Sequence, residues 1–226
     1  QHRGAAVIAG GKILGTYAKQ LIPFYDVFDE LRYFEPGTEL LVLEIAGKRT
    51  GIAICEDLWN DKGSDDYRYA DNPMQRYREH GVDVILSLNS SPYVQGKAWQ
   101  RIKVIAPGTR PNLTVVYVNQ RGGQDELVFD GQSFVISNGD LVHLASAVHE
   151  DSFDMVDLSS GQSEISNVDA PMQKSKVLAR GPTLRDMLVL GLRDYTQKSG
   201  FSELVVASSG GVDSAATNHT ARGHAM

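Results

Sequence analysis

The chain has 226 residues, a length that accommodates one complete domain and part of a second. Hydrophobic residues make up 42% of it, which supplies a packed core and excludes a disordered chain. The formal net charge of −6, with scattered lysine and arginine, argues against a general affinity for nucleic acid or membranes. A single cysteine, Cys55, excludes an internal disulfide and favours a reducing, cytoplasmic location.

The first half of the sequence alternates short β-rich runs with turn residues. Gly10-Gly11 predicts a hairpin between strands at 5–9 and 12–19, because both glycines tolerate a positive φ. A second hairpin is predicted over 40–55, around Ala46-Gly47-Lys48. The other predicted elements are helices at 73–80 and 97–105 and strands at 82–88, 113–119, 127–129, 133–137 and 141–145.

The second half changes character after residue 158. Residues 159–181 are rich in Gly, Ser, Gln and Asp without periodicity, which predicts a linker. Apolar residues then recur at helical spacing: Leu184, Leu188, Leu192 and Tyr195. A strand at 203–207 followed by a glycine turn predicts the β-turn-helix order that opens a doubly wound nucleotide-binding sheet.

Cys55 ends a predicted strand and enters the sequence Glu56-Asp57-Leu58-Trp59. A nucleophile at the end of a strand lies on a sharp turn, exposed to substrate and to nearby backbone donors. The alternative is a buried cysteine that packs as a small hydrophobic residue, which is the commoner role of a single cysteine.

Lys19 closes the strand at 12–19, where a lysine is ordinarily a solvated strand end. However, Lys-x-x-x-Pro-x-Tyr from Lys19, the run at 27–34 and Cys-Glu-Asp-Leu-Trp at 55–59 together resemble the nitrilase superfamily. More narrowly, they resemble the glutaminase domain of glutamine-dependent NAD synthetases, as does the run at 122–131. The resemblance implies an α/β fold, a nitrilase-like four-layer αββα sandwich, here expected to lack its N-terminal part.

The resemblance also implies a Glu-Lys-Cys triad. Cys55 would attack the side-chain amide of glutamine and form a thioester. Lys19 would keep the thiolate charged and stabilise the oxyanion. A glutamate upstream of Lys19 would transfer the protons, but residues 1–18 contain neither Asp nor Glu, so we expect an incomplete triad.

Three residues are candidates for binding glutamine by the same resemblance: Tyr25, Glu56 and Ser91. Tyr25 is equally well explained as a core aromatic residue with a bonded hydroxyl, and Ser91, which precedes Pro92, as part of a simple turn. Asp125 and Glu126 could close the pocket, but we favour a loop for them.

Ser209-Gly210-Gly211-Val212-Asp213-Ser214 is the second chemical motif. Its glycines allow backbone N–H groups to approach phosphate oxygens at the start of a helix, and it is not a Walker A loop. The motif resembles the ATP-pyrophosphatase loop. The residues implied to bind ATP are Ser209, Gly210, Gly211, Asp213 and Ser214, with Asp213 also near Mg²⁺. A generic glycine-rich turn is the alternative.

The tail after Ser214 departs from the family pattern. Its residues, 215–226, lack the apolar helical face that we expect there. His219 and His224 do not have the spacing of a helical metal-ligand pair, and no acidic or cysteine partner accompanies them.

The expected organisation is a nitrilase-like glutaminase domain at 1–158, a linker at 159–181 and the start of an ATP-pyrophosphatase NAD synthetase domain at 182–226. Because the chain begins directly in a strand, we expect an internal piece of a longer protein. The implied reaction is ATP-driven amidation of nicotinic acid adenine dinucleotide with ammonia from glutamine, in a homo-oligomer, although these residues alone are expected to be inactive. The alternatives are a free-standing carbon–nitrogen hydrolase or a catalytically dead binding fragment.

Overall fold

A computed structural model describes residues 1–59, 69–145, 150–170 and 173–224. The strands are β1 (Gly4–Ala9), β2 (Lys12–Ala18), β3 (Val42–Ile45), β4 (Lys48–Ile54), β5 (Val84–Asn89), β6 (Thr114–Asn119), β7 (Arg121–Gln124), β8 (Leu127–Asp130), β9 (Phe134–Ser137) and β10 (Asp140–Leu144). The helices are α1 (Pro73–Glu79), α2 (Lys97–Ile105), α3 (Gln173–Leu178), α4 (Leu184–Lys198) and α5 (Val212–His224).

Six strands form a mixed sheet in the order β10-β9-β6-β5-β4-β3. Strands β4, β5 and β6 run parallel, and the outer strands pair antiparallel to them. The β1–β2 and β7–β8 hairpins each form a separate two-stranded sheet. Because the three central strands are parallel, their carboxyl ends meet at one edge of the sheet, where open α/β sheets bind ligands.

Helices α1 and α2 cover one face of this sheet and build the core with it. Tyr77 of α1 packs against Gly51 of β4, where a Cβ atom would come within 2.7 Å of the ring. On the other face, Leu88 and Val118 remain 51% and 56% exposed. The β1–β2 hairpin lies across a cavity from these two residues.

The predicted α/β class is confirmed, and, as predicted, the described residues do not form a complete αββα sandwich. They contain one helix layer, the six-stranded sheet and a two-stranded sheet, β1–β2, on its open side. The second layer is small because no other described strand pairs with the β1–β2 hairpin. Both predicted hairpins form, and α2 has the predicted bounds.

The segment that composition predicts as a linker packs on the core over part of its length. Ile165, Val168 and Val177 are buried in the main apolar cluster, and Ile165 bridges to Leu141 at the edge of the sheet. Three isolated apolar anchors in an irregular segment produce no periodicity, so sequence patterning does not detect them. The domain boundaries stay a prediction.

Helix α4 forms where apolar spacing predicts it, yet Leu184 and Leu188 on that stripe are mostly exposed. Its buried side includes Met187 and Leu190. The strand predicted at 203–207 is wrong: these residues pair with no strand in the described part of the chain, and an isolated strand has no ladder to stabilise it. No helix in the described ranges combines the length and apolar character needed to cross a membrane.

Candidate active site

Cys55 lies at the carboxyl edge of the sheet, directly after β4. It begins a short 3₁₀ helix, Cys55–Leu58, with a φ of +45°. A left-handed conformation is uncommon for a residue with a side chain and marks a backbone that its surroundings hold in place. The thiol is half-buried and free. The strand therefore ends in a sharp turn that presents the thiol to the open face of the sheet.

Lys19 lies one residue beyond the end of β2 and is 1% exposed. Its Nζ donates to Oε2 of Glu30 at 2.7 Å, and Nη1 of Arg3 lies 2.6 Å from Oε1 of the same carboxylate. A buried ammonium needs such a partner, because an uncompensated buried charge is strongly unfavourable. Glu30 is a site residue that the sequence did not single out, although it lies within the 27–34 run of the motif.

The acidity of the Cys55 thiol reflects opposing influences. Burial raises the pKa of the thiol, and the nearby ammonium of Lys19 lowers it. The Glu56 carboxylate raises the pKa, a hydrogen bond from the backbone N–H of Ser90 lowers it, and Glu30 raises it. The cation and the N–H group are thus the two features that favour the nucleophilic thiolate over the thiol.

Asp57 is fully buried and hydrogen-bonds both to the chain after β2 and to the end of β4. Its Oδ1 accepts the backbone N–H groups of Gln20 at 3.0 Å and Leu21 at 2.9 Å, while Oδ2 accepts the Tyr17 hydroxyl and the Ile54 N–H, both at 2.8 Å. Burial raises the pKa of this carboxyl group, and the hydrogen bonds oppose that shift. A single carboxylate therefore holds the chain after β2, which carries Lys19, against the turn that carries Cys55.

Glu56 and Tyr25, both predicted substrate contacts, lie against each other. The Tyr25 hydroxyl is 2.8 Å and 2.9 Å from the two oxygens of Glu56, and the Tyr69 hydroxyl donates to Oε1 at 3.1 Å. Burial and the adjacent Glu56 charge raise the pKa of Tyr25, so its hydroxyl remains a proton donor. The structure brings these residues together beside Cys55, and their substrate-binding roles stay predictions.

Ser91 lies behind the cavity wall. Its Oγ accepts a hydrogen bond from Nε of Arg101 at 3.1 Å, and its side chain is buried. The preceding residue, Ser90, lines the cavity. Asp125 and Glu126 form the turn between β7 and β8, as the loop interpretation predicts.

Part of this group lines a cavity of about 930 Å³ between the open face of the sheet and the β1–β2 hairpin, whereas Tyr25, Asp57 and Ser91 do not line it. This volume lies in the range of small-molecule sites. The polar wall contains Lys19, Glu30, Cys55, Glu56 and Ser90. The apolar wall includes Phe28, Leu88, Val118, Leu127 and Phe129. The arrangement places the Cys55 thiol and the buried Lys19 ammonium in the polar wall, opposite apolar side chains.

The predicted ATP-binding residues, Ser209 to Ser214, do not line this cavity. They form a turn into α5, with Gly210 at a φ of +86° and Asp213 in the first helical turn. Ser214 Oγ donates to the Gly211 carbonyl oxygen at 3.0 Å. Among the described residues, no group of three or more His, Cys, Asp and Glu could hold a metal ion, and the contact of Asp213 with Mg²⁺ stays a prediction.

The fold and the cavity define an α/β protein with a cysteine at a strained turn and an ion-paired lysine beside it. The glutamine-dependent NAD(+) synthetase of Acinetobacter baylyi is 36% identical over 225 residues, which cover 96% of this chain and 38% of that protein. The synthetase of Synechocystis sp. is 37% identical, over 93% of this chain and 38% of that protein. No protein-family model matches the chain.

A solved structure points to the same family as the sequence relatives. The glutamine-dependent NAD+ synthetase of Acinetobacter baumannii, determined in complex with ADP, superposes with a TM-score of 0.77 at 36% identity. That match covers 99% of this chain and 40% of the solved chain. The chain is therefore a homologue of the glutamine-dependent NAD(+) synthetases, and it spans about 38% of the length of the curated relatives it matches.

Proposed function

We propose that the cavity around Cys55 is the glutamine-hydrolysing site of a glutamine-dependent NAD⁺ synthetase. The observation that carries the proposal is the placement of Cys55, on a left-handed turn, in one cavity with the Lys19–Glu30 ion pair. An ordinary buried cysteine requires neither a strained backbone nor a buried cation close to its sulfur.

In the proposed reaction, the thiolate of Cys55 attacks the side-chain carbonyl carbon of glutamine. A carbon–sulfur bond forms, and the negative charge that develops on the carbonyl oxygen is stabilised by the Lys19 ammonium. The carbon–nitrogen bond then breaks, ammonia leaves with a proton from a general acid, and water hydrolyses the thioester to glutamate. Glu30 holds the lysine, since both of its oxygens are engaged by Lys19 and Arg3. The resemblance implies a proton-transferring glutamate upstream of Lys19. Residues 1–18 contain no glutamate that could take this role.

The buried carboxylate of Glu56, with Tyr25 beside it, suits the ammonium group of a free amino acid. Ser91 would contribute through its backbone position next to Ser90 rather than through its hydroxyl, which Arg101 engages. The pocket would then bind glutamine at both ends: the side-chain amide at Cys55 and the amino group at Glu56.

The ammonia would be used by a synthetase domain that begins near residue 182, after a connecting segment at 159–181. Ser209, Gly210, Gly211, Asp213 and Ser214 would contact the pyrophosphate end of ATP, and Asp213 would approach Mg²⁺. The turn into the N-terminus of α5 supports this assignment, because backbone N–H groups at a helix start favour anions. The substrate amidated would be nicotinic acid adenine dinucleotide, in the cytoplasm and in an oligomer. We propose that reaction for the longer protein.

The diazoketone analogue of L-glutamine tests the amidase assignment. We expect it to alkylate Cys55 rapidly and to saturate with concentration, because the reactive carbon takes the place of the substrate amide. The measurement is intact mass with peptide mapping, on the wild-type chain and on Cys55→Ser. The D-enantiomer, which has the same reactivity, is the control for binding.

Two outcomes would contradict the proposal. Absence of an adduct on Cys55 removes the nucleophile assignment. Equal rates with both enantiomers, without saturation, would show a reactive thiol that recognises no amino acid and would support a general carbon–nitrogen hydrolase or a fragment without catalytic function.

A further inference from the structure

Helix α4 lies directly on the β7–β8 hairpin, backbone against backbone. A Cβ atom on Gly123 of β7 would come within 3.1 Å of the Cα atom of Gly191 in α4. A Cβ atom on Gly191 would come within 2.9 Å of Cγ2 of Val128 in β8. Both distances are shorter than an ordinary carbon–carbon contact, so the absence of a side chain at both positions is what allows this approach.

Two charged side chains of α4 bind the backbone of β7 at the same point. Oδ2 of Asp194 accepts the Gly123 N–H at 2.7 Å, and Nζ of Lys198 donates to the Gly123 carbonyl oxygen at 2.5 Å. Hydrogen bonds to ionised groups are roughly twice as strong as those between neutral groups. Gly123 is therefore bound to α4 through both of its backbone polar groups.

The opposite face of the hairpin belongs to the Cys55 cavity. Val128 pairs with Gly123 and faces α4, whereas its neighbours in β8, Leu127 and Phe129, line the cavity. Successive side chains of a strand point to opposite faces of the sheet. A single layer of backbone thus separates α4 from the apolar wall of the cavity, and a displacement on one face is transmitted to the other.

We infer that α4 positions the apolar wall of the Cys55 cavity through the β7–β8 hairpin, with Gly191, Asp194 and Lys198 as the positioning residues. All three lie beyond the domain boundary predicted at residue 182, so the sequence analysis assigns them to the other domain. The consequence for glutamine binding rests on the proposed function, whereas the consequence for the shape of the cavity does not.

The variant that tests the inference is Gly191→Ala, which adds one methyl group to α4. Alanine favours a helix more than glycine does, so the helix itself should persist. The new methyl group would lie 2.9 Å from Val128, and something must move. The other side of α4 is packed against α5, where a Cβ atom on Gly223 would come within 2.9 Å of Val189, so we expect β8 to move toward the cavity.

Two reagents with the same electrophile, iodoacetamide and N-benzyl iodoacetamide, measure the space beside the thiol. The ratio of their alkylation rates at Cys55 cancels the thiolate fraction and reports the shape of the cavity. We expect Gly191→Ala to lower the rate of the benzyl reagent relative to the small one by about tenfold. The concentration of L-glutamine that gives half-protection of Cys55 should rise by a similar factor.

A second substitution provides a rescue. Val128→Ala removes the methyl group that the new side chain meets, so the rate ratio of the double variant should return toward the wild-type value. Lys198→Met releases the hairpin without adding bulk, since the donor to Gly123 is lost. Its rate ratio should therefore change in the opposite direction, in favour of the benzyl reagent.

The matched control is Gly223→Ala, which places a methyl group the same 2.9 Å from a valine of α4, Val189. Val189 and Gly191 are two residues apart and point to opposite sides of the helix. This variant disturbs the packing of α4 away from the hairpin. It should leave the rate ratio and the half-protection by L-glutamine unchanged.

A folded Gly191→Ala variant with the wild-type rate ratio would overturn the inference. So would a double variant without recovery, or an equal fall in Gly223→Ala, since any disturbance of α4 would then suffice. If Gly191→Ala does not fold, an unchanged ratio for Lys198→Met overturns the inference instead. Failure of L-glutamine to protect the wild-type chain removes the proposed function, while the rate ratio still tests the shape of the cavity.

Discussion

Replacing Lys19 with methionine is expected to slow the alkylation of Cys55 by iodoacetamide at neutral pH by tenfold to a hundredfold, roughly one to two pKa units. The Lys19 ammonium lowers the pKa of the thiol against the effect of burial. Without the cation the pKa rises further, so the thiolate fraction at a given pH falls. The midpoint of the rate–pH curve should therefore move to higher pH, while the rate at very alkaline pH recovers.

The matched control for this variant is Lys12→Met, which removes an exposed lysine at the opposite end of β2. It should leave the rate–pH curve unchanged. Arg3 still compensates Glu30 in the Lys19 variant, so we expect it to remain folded, as circular dichroism would verify. A folded Lys19→Met variant with the wild-type curve would show that Lys19 does not act on the thiol.

Replacing Asp57 with asparagine is expected to destabilise the chain by about 3 kcal/mol or more. The carboxylate accepts four hydrogen bonds in a fully buried position, from Gln20, Leu21, Tyr17 and Ile54. An asparagine keeps one oxygen and presents an NH₂ group to donors on its other side, which leaves buried donors unsatisfied. Reactivity of Cys55 should fall as well, because the same contacts align Lys19 with the turn.

Urea unfolding measures this change in the free energy of unfolding, with Asp83→Asn as the control. Asp83 also accepts a backbone N–H group, from Arg49 at 2.8 Å, but in an exposed position where water replaces a lost contact. Its substitution should cost less than about 1 kcal/mol. Similar losses for the two variants would mean that Asp57 is an ordinary capping residue.

Most strands of the sheet could be predicted from the sequence, and so could two site residues, Cys55 and Lys19. Glycine pairs and β-branched runs are local signals, and they located the hairpins at residues 10–11 and 46–47 and the central strands. Cys55 and Lys19 were found because each occurs in a distinctive motif. The two residues line one cavity because Cys55 follows the parallel strand β4 and Lys19 follows β2, whose hairpin lies across the cavity from the sheet.

The contacts that support the site were not predictable in the same way. Glu30 and Asp57 lie inside the recognised motifs, but their roles arise from partners that lie 11 residues away in one case and up to 40 in the other, which the motifs do not reveal. Ser91 was predicted from a Ser-Pro motif, which cannot reveal that Arg101 already engages its hydroxyl. The strand at 203–207 was predicted from β-branched composition, but strand formation also requires a neighbouring strand.

Protection of Cys55 by glutamine is the measurement that tests the central claim most directly. The rate of alkylation by iodoacetamide would be followed at increasing concentrations of L-glutamine, with D-glutamine and L-glutamate as controls. We expect a saturable decrease with L-glutamine and little effect of the D-enantiomer, because the substrate amide would occupy the space in front of the sulfur. A rate that is independent of L-glutamine while the chain is folded would contradict the account.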